Sequence, residues 1–129
     1  MSKVLLDTSI IIDFLRQNNK AEALLYKLAK SEDLFISIVT HTEIYAGKSV
    51  WEKEKAKREV EDLFSGLNIL PLTTEISELA GNLKAYNHDR SLLDCIIGAT
   101  AKYHDLNLAS FNKKDFEVMS GVELLDVGS

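Results

Sequence analysis

The apolar residues of this chain fall into two kinds of stretch. Short blocks such as Val4-Leu5-Leu6 and Leu34-Phe35-Ile36 predict buried strands, and stretches in which apolar positions return every three or four residues predict amphipathic helices. The first strand covers Lys3 to Leu6 and ends at Asp7. Thr8 and Ser9 then offer capping hydroxyls to a helix that carries Ile10, Ile11, Phe14 and Leu15. A helix over Lys20 to Lys30, with Ala23, Leu24 and Leu28 on a helical period, leads to a second strand at Leu34 to Ile38. Helices from about Val39 to Lys48 and from Trp51 to about Leu67 follow, the latter strongly charged. Leu67 to Leu72, closed by Pro71, reads as a third strand, and Thr73 and Thr74 with Ser77 open a helix that runs to about Asn87. Next come a helix at Leu92 to His104, a strand at Leu106 to Ser110, a helical turn at Lys113 to Met119 and a strand at Val122 to Leu125. Strands alternating with helices predict an α/β fold, a three-layer α/β/α sandwich around a central parallel sheet of about four or five strands.

Length and composition narrow this picture. With 129 residues and 46% hydrophobic content, one sizeable core is expected, and a single domain over residues 1–129. One proline, six glycines and no repeat leave no flexible linker. The first apolar run is too short for a signal peptide, and none approaches the roughly 20 apolar residues of a membrane span. Cys95, the only cysteine, has no partner for an intramolecular disulfide. A cytoplasmic protein with no membrane attachment is the expectation.

The formal charge of -5 argues at first against a nucleic-acid partner. Setting four acids aside for a metal site leaves fifteen basic against sixteen acidic side chains, a net of -1. Bound divalent cations would also reverse the local field.

Four acids fall where such a site is expected. Ligands of open parallel sheets bind beyond the carboxyl ends of the strands. Asp7 follows the first strand, Glu43 lies early in the helix after the second, and Asp115 follows the strand ending at Ser110. Asp94 opens an apolar helix, where the helix dipole favours an acid. Two carboxylates about 4 Å apart repel by roughly 4 kcal/mol at an effective dielectric near 20, a cost that a hard divalent cation removes. An all-oxygen set suits Mg²⁺ or Mn²⁺, whereas zinc would call for Cys and His ligands that the motifs do not supply. A cation of this kind activates water and neutralises charge during phosphodiester hydrolysis.

With these residues assembled, the sequence resembles the PIN-domain nucleases, and among them the VapC toxins of prokaryotic toxin–antitoxin modules. Leu5-Leu6-Asp7-Thr8-Ser9 with Ile12-Asp13 looks like the family's opening motif, and Ser37-Ile38-Val39-Thr40 through Glu43 and Gly47 like its second. Asp94 to Ala101 resembles the third, and Leu108-Ala109-Ser110 through Asn112 and Asp115-Phe116 the fourth. The resemblance implies an endoribonuclease with Mg²⁺ on Asp7, Asp94 and, directly or through water, Glu43 and Asp115. It also implies an RNA substrate, a homodimer, and an antitoxin that blocks the site. Ser110 stands where the family often has threonine and Gly98 where alanine is common. Asn112 occupies a position that is acidic in some members, so Asp115 or Asn112 completes the set.

Other residues carry plainer readings. Asp13 is carried about 9 Å along the helix from Asp7, too far for a shared ligand role, and is structural. His41, His88 and His104 lack zinc spacing, and Cys95 is a small buried apolar residue. Gly98, one turn after Asp94, leaves room for a ligand or a close helix. The run from Trp51 to Glu59 is a solvated face, with Lys53, Lys57 and Arg58 as a candidate basic edge. Lys113 and Lys114 lie beside the proposed site. Tyr45, Trp51 and Tyr86 are candidate interface aromatics. Two rival functions remain: a PIN-fold nuclease that processes RNA without an antitoxin, and an inert RNA- or protein-binding module on the same scaffold.

Overall fold

In the computed structural model, which describes residues 2–127, the first apolar block forms strand β1 (Ser2–Leu6) at the middle of the sheet. It pairs in parallel with β2 (Glu32–Ser37) through Val4↔Leu34 and Leu5↔Phe35, and with β4 (Asn107–Ala109) through Leu5↔Leu108 and Leu6↔Ala109. β3 (Asn68–Leu70) continues the sheet beyond β2, giving the order β3-β2-β1-β4, all parallel.

The period-two geometry of a strand sends neighbouring side chains to opposite faces, and β1 uses both. Val4 and Leu6 enter one core with Ile10, Ile11, Leu25, Leu34, Ile36, Ile44, Val60 and Phe64. Leu5 enters the other with Ile76, Ala80, Leu83, Cys95, Ile97, Leu108 and Phe116. Each of these β1 side chains is fully buried, worth about 1.5–3 kcal/mol apiece. The first core is covered by α1 (Thr8–Arg16), α2 (Leu24–Ala29), α3 (Ile38–Tyr45), α4 (Lys48–Glu52) and α5 (Glu54–Ser65), and the second by α6 (Thr74–Tyr86), α7 (Leu92–His104) and α8 (Lys113–Phe116). The three-layer α/β/α sandwich is present.

Several boundaries differ from the sequence expectation. α1 is capped by Asp7, whose carboxylate accepts the Ile10 N–H, and Thr8 and Ser9 lie inside the helix. Ile38 belongs to α3 rather than to β2, because Ser37 caps there by accepting the Val39 N–H. Ala23 and Lys53 adopt extended backbone, which splits a short 3₁₀ turn (Lys20–Glu22) from α2 and separates α4 from α5. The helical turn α8 ends at Phe116. The stretch Val122 to Leu125 forms a single parallel bridge, Leu108↔Leu124, supported by Leu108 N–H to Glu123 O and Leu125 N–H to Leu108 O, both 2.8 Å. Gly98 makes room for this carboxyl-terminal segment, since a Cβ there would lie 2.6 Å from Met119 Sδ and 3.4 Å from Val122 Cγ2.

Chain order creates a crevice. The chain steps from β1 outward to β2 and β3, then crosses back to place β4 on the other side of β1. A parallel sheet opens a ligand crevice at such a reversal, beyond the carboxyl ends of the two strands.

Candidate metal centre

Asp7 occupies that crevice, its backbone N–H bonded to Ala109 O at 3.1 Å and its side chain only 3% exposed. Oδ1 accepts a proton from Ser9 Oγ and Oδ2 one from Ser110 Oγ, both at 2.5 Å, and Oδ1 also caps the Ile10 N–H at 3.3 Å. Burial raises the Asp7 pKa above its ordinary value, and the Ser110, Ser9 and Ile10 hydrogen bonds only partly oppose this.

Glu43, half-buried on α3, accepts from Thr8 Oγ1 at 2.7 Å, and Thr8 Oγ1 lies 3.1 Å from the buried Thr40 hydroxyl. Thr8, the residue after Asp7, therefore holds Glu43 as well. Asp94 stands in the first turn of α7, where Ser91 caps the helix by accepting the Asp94 N–H at 3.0 Å. Its pKa is raised, first by burial and further by the negative charges of Asp115, Asp7 and Glu43, against the lowering effect of Ser91. Asp94 thus lies within electrostatic reach of the other three acids.

They are not equivalent. Asp115 on α8 pairs with Arg90 Nη1 at 2.8 Å. Arg90 also meets Asp89 at 3.2 Å, while its Nε is buried without a partner among the described residues. The loop before α7 is pinned by Lys84, whose Nζ donates to His88 O at 2.7 Å and to Arg90 O at 2.6 Å. Asn112 has an exposed side chain, and its backbone N–H donates to Ser110 Oγ at 2.8 Å.

Among the described residues, no three His, Cys, Asp or Glu side chains are gathered closely enough to form a finished metal cage. The donor chemistry nonetheless fits a hard divalent cation. The candidate ligands are all carboxylate oxygens, Asp7 is a desolvated acid held by neutral hydroxyls, and the Asp94 pKa is raised by burial first and by the neighbouring acids in addition. Zinc finds no support. His41 packs its ring against Tyr45 and Phe64, each at 4.8 Å, and Cys95 is buried in the apolar core with its thiol pKa pushed up by burial.

The remaining sequence candidates settle elsewhere. Asp13 accepts from Gln17 Nε2 at 3.1 Å within α1 and its C-cap. Arg58 pairs with Glu54 at 3.1 Å, and Lys57 lies over the Trp51 ring at 5.6 Å, so two members of the proposed basic edge are engaged on their own face. Trp51 donates its indole N–H to Tyr45 O at 2.6 Å, and Tyr86 is 81% exposed. A cleft of about 600 Å³ lies away from the candidate ligands, between α1, α2, β2 and α5, with Phe14, Tyr26 and Leu63 in its lining. Arg90 and the hydroxyls of Ser9 and Thr8 went unrecognised as site residues in the sequence. Ser9 sits within the opening motif, but nothing in its spacing distinguishes a carboxylate partner from a capping residue.

Comparison with known proteins follows the same lines. The PIN domain family model matches residues 4–122. The chain is 32% identical to a solved structure of a toxin–antitoxin complex from Klebsiella pneumoniae, covering 92% of this chain and 94% of that one with a TM-score of 0.72. It is 24% identical to a chain of DNA-bound VapBC from Salmonella typhimurium, covering 97% and 98% with a TM-score of 0.81. It is 16% identical to VapC20, a sarcin–ricin loop cleaving toxin from Mycobacterium tuberculosis, covering 94% and 98% with a TM-score of 0.71. A search of curated proteins found no match.

Proposed function

The chain belongs to the PIN-domain family, and from that membership we propose that it is a divalent-metal-dependent endoribonuclease, the toxin of a toxin–antitoxin module. The single observation that carries the reading is that Asp7, buried where β1 and β4 lie side by side, has both carboxylate oxygens held by Ser9 and Ser110 while its neighbour Thr8 holds Glu43. Asp7, Glu43 and Asp94 would hold Mg²⁺ or Mn²⁺, with Asp115 at its margin. Bound there, the cation supplies activation of water and neutralisation of charge on a phosphodiester.

The protein's own groups prepare that site. Ser9 and Ser110 each donate to one oxygen of Asp7 and fix the plane of its carboxylate. Thr8 orients Glu43 through the 2.7 Å hydrogen bond. Arg90 neutralises Asp115 and brings a guanidinium to the rim of an otherwise anionic crevice, where the backbone of RNA would be repelled. That ion pair also favours a second reading of the site, in which Asp115 positions Arg90 and three acids hold the metal.

The resemblance to chains solved in VapBC and other toxin–antitoxin complexes supports a cognate antitoxin as partner. A homodimer, a cytoplasmic setting and a single domain belong to the same proposal. Among the described residues, no helix is long and apolar enough to cross a membrane. The test is cleavage of a labelled single-stranded RNA by protein purified free of any antitoxin, with Mg²⁺, with Mn²⁺ and with EDTA. Metal-dependent cutting that disappears in Asp7→Asn is expected. Intact RNA under every metal condition would instead favour an inert binding module. Metal-dependent cutting by a protein whose expression arrests no growth and that captures no antitoxin would favour an RNA-processing nuclease.

A further inference from the structure

A second cleft, of about 560 Å³, opens beside the carboxylates and is lined by Phe111, Asn112, Lys113, Lys114 and Asp115, with Ser110 at its inner end. Its volume is that of an ordinary small-ligand site. Phe111 is half exposed, although the residue before it is fully buried and bonded to Asp7. A lone exposed aromatic is commonplace on a protein surface. This one is anchored: its backbone N–H donates to Ser9 Oγ at 3.1 Å, and the same Ser9 hydroxyl donates to Asp7 Oδ1 at 2.5 Å. The Phe111 backbone is therefore tied one hydroxyl away from the most buried carboxylate of the proposed reacting centre, and its half-exposed ring extends from that anchored point.

The charges around it suit a polyanion with an apolar face. Arg90 offsets the one acid in the lining, Asp115, at 2.8 Å. Lys113 lies 3.8 Å from the exposed Asp126, and Lys114 is exposed. An aromatic platform followed within three residues by an amide and two ammonium groups is the combination by which proteins hold single-stranded nucleic acid, stacking a base and tracking the phosphates. We propose that this cleft is a nucleotide subsite in which Phe111 stacks a base of single-stranded RNA flanking the scissile phosphate, while Lys113 and Lys114 take the adjoining phosphates. The assignment rests on the nuclease reading above and names how its substrate is seated.

The test is binding of a fluorescent single-stranded RNA hexamer to the full chain, read by anisotropy in EDTA so that no cleavage intervenes. Ratios between variants are then independent of the charge left on the carboxylates. Phe111→Ala is expected to weaken binding about tenfold, the size of one lost base–aromatic stack, and Phe111→Trp to retain it. A hexamer with abasic positions should be nearly indifferent to Phe111→Ala. Replacing Lys113 and Lys114 together by Ala should reduce the slope of log affinity against log salt by about 1.4. Equal RNA binding by wild type and Phe111→Ala overturns the subsite, as does an equal loss for the abasic hexamer. The two readings fail separately. Wild-type cleavage in Mg²⁺ alongside Phe111-independent binding removes the subsite alone, whereas Phe111-dependent binding without any cleavage removes the nuclease alone.

Discussion

Ser110 donates its hydroxyl proton to Oδ2 of Asp7 at 2.5 Å, across 103 positions of sequence and inside the protein. A hydrogen bond to a charged acceptor is worth about 1.5–3 kcal/mol, and its loss here leaves a buried carboxylate oxygen short of a donor. Ser110→Ala should therefore lower stability by about 2 kcal/mol in chemical denaturation at neutral pH. It should also raise the Asp7 pKa further, because Ser110 is the largest of the influences that lower it. Ser110→Thr keeps the hydroxyl and should recover most of both effects.

Asp7 and Asp94 have raised pKa values in the folded protein, each above an ordinary value of 3.8. The folded state then binds more protons than the unfolded one over that interval, so metal-free stability falls as pH rises from the ordinary carboxylate range through the raised values. In EDTA, the unfolding temperature should be higher at mildly acidic pH than at pH 7, provided both lie above the general acid-unfolding range. At pH 7, Asp7→Asn should raise it by removing the buried charge. Mg²⁺ should stabilise the wild type, by about 2.7 kcal/mol at one hundred times its dissociation constant, and leave Asp7→Asn unmoved. Scanning calorimetry across pH with and without metal reads all of this, and an Asp7→Asn protein less stable than wild type in EDTA would contradict it.

Asp94 and Asp115 should separate in mutagenesis. Asp115 already has a cationic partner in Arg90, whereas Asp94 is part-buried with its pKa raised by that burial and further by the other acids. Asp94→Asn is expected to abolish metal-dependent RNA cleavage by at least about a hundredfold, in line with losing a metal ligand. Asp115→Asn should cost about tenfold. Arg90→Gln, which frees Asp115 to approach the other acids, should raise apparent Mg²⁺ affinity while weakening RNA binding. Equal losses for Asp94→Asn and Asp115→Asn would make Asp115 a full ligand.

The layered architecture was legible in the chain because burial follows simple periods. β1 alternates Val4 and Leu6 against Leu5, and α5 places Val60 and Phe64 four residues apart on one buried stripe. Asp7, Glu43 and Asp94 were legible as candidates because a carboxylate at a strand end or helix start needs a reason. The breaks at Ala23 and Lys53 were not, since neither is glycine or proline; Ala23 leaves the helix at ψ, near 142°, and Lys53 at both angles, near -121° and 115°. The final strand shrank to one bridge because its place at the sheet edge depends on how the segment after α8 packs over Gly98. Arg90 was invisible for a related reason: its partner Asp115 lies 25 positions away and on another element, and no local pattern records the pairing.

The strand order carries a consequence for synthesis. β1 emerges from the ribosome well before β4, yet the crevice exists only where the two lie side by side. Domains begin folding from their amino-terminal portions during translation, so a nascent chain can bury β1 against β2 well before Ser110 is available to clasp Asp7. A polypeptide interrupted anywhere short of residue 110 therefore lacks the assembled crevice, and the pocket comes into being only once β4 has been synthesised.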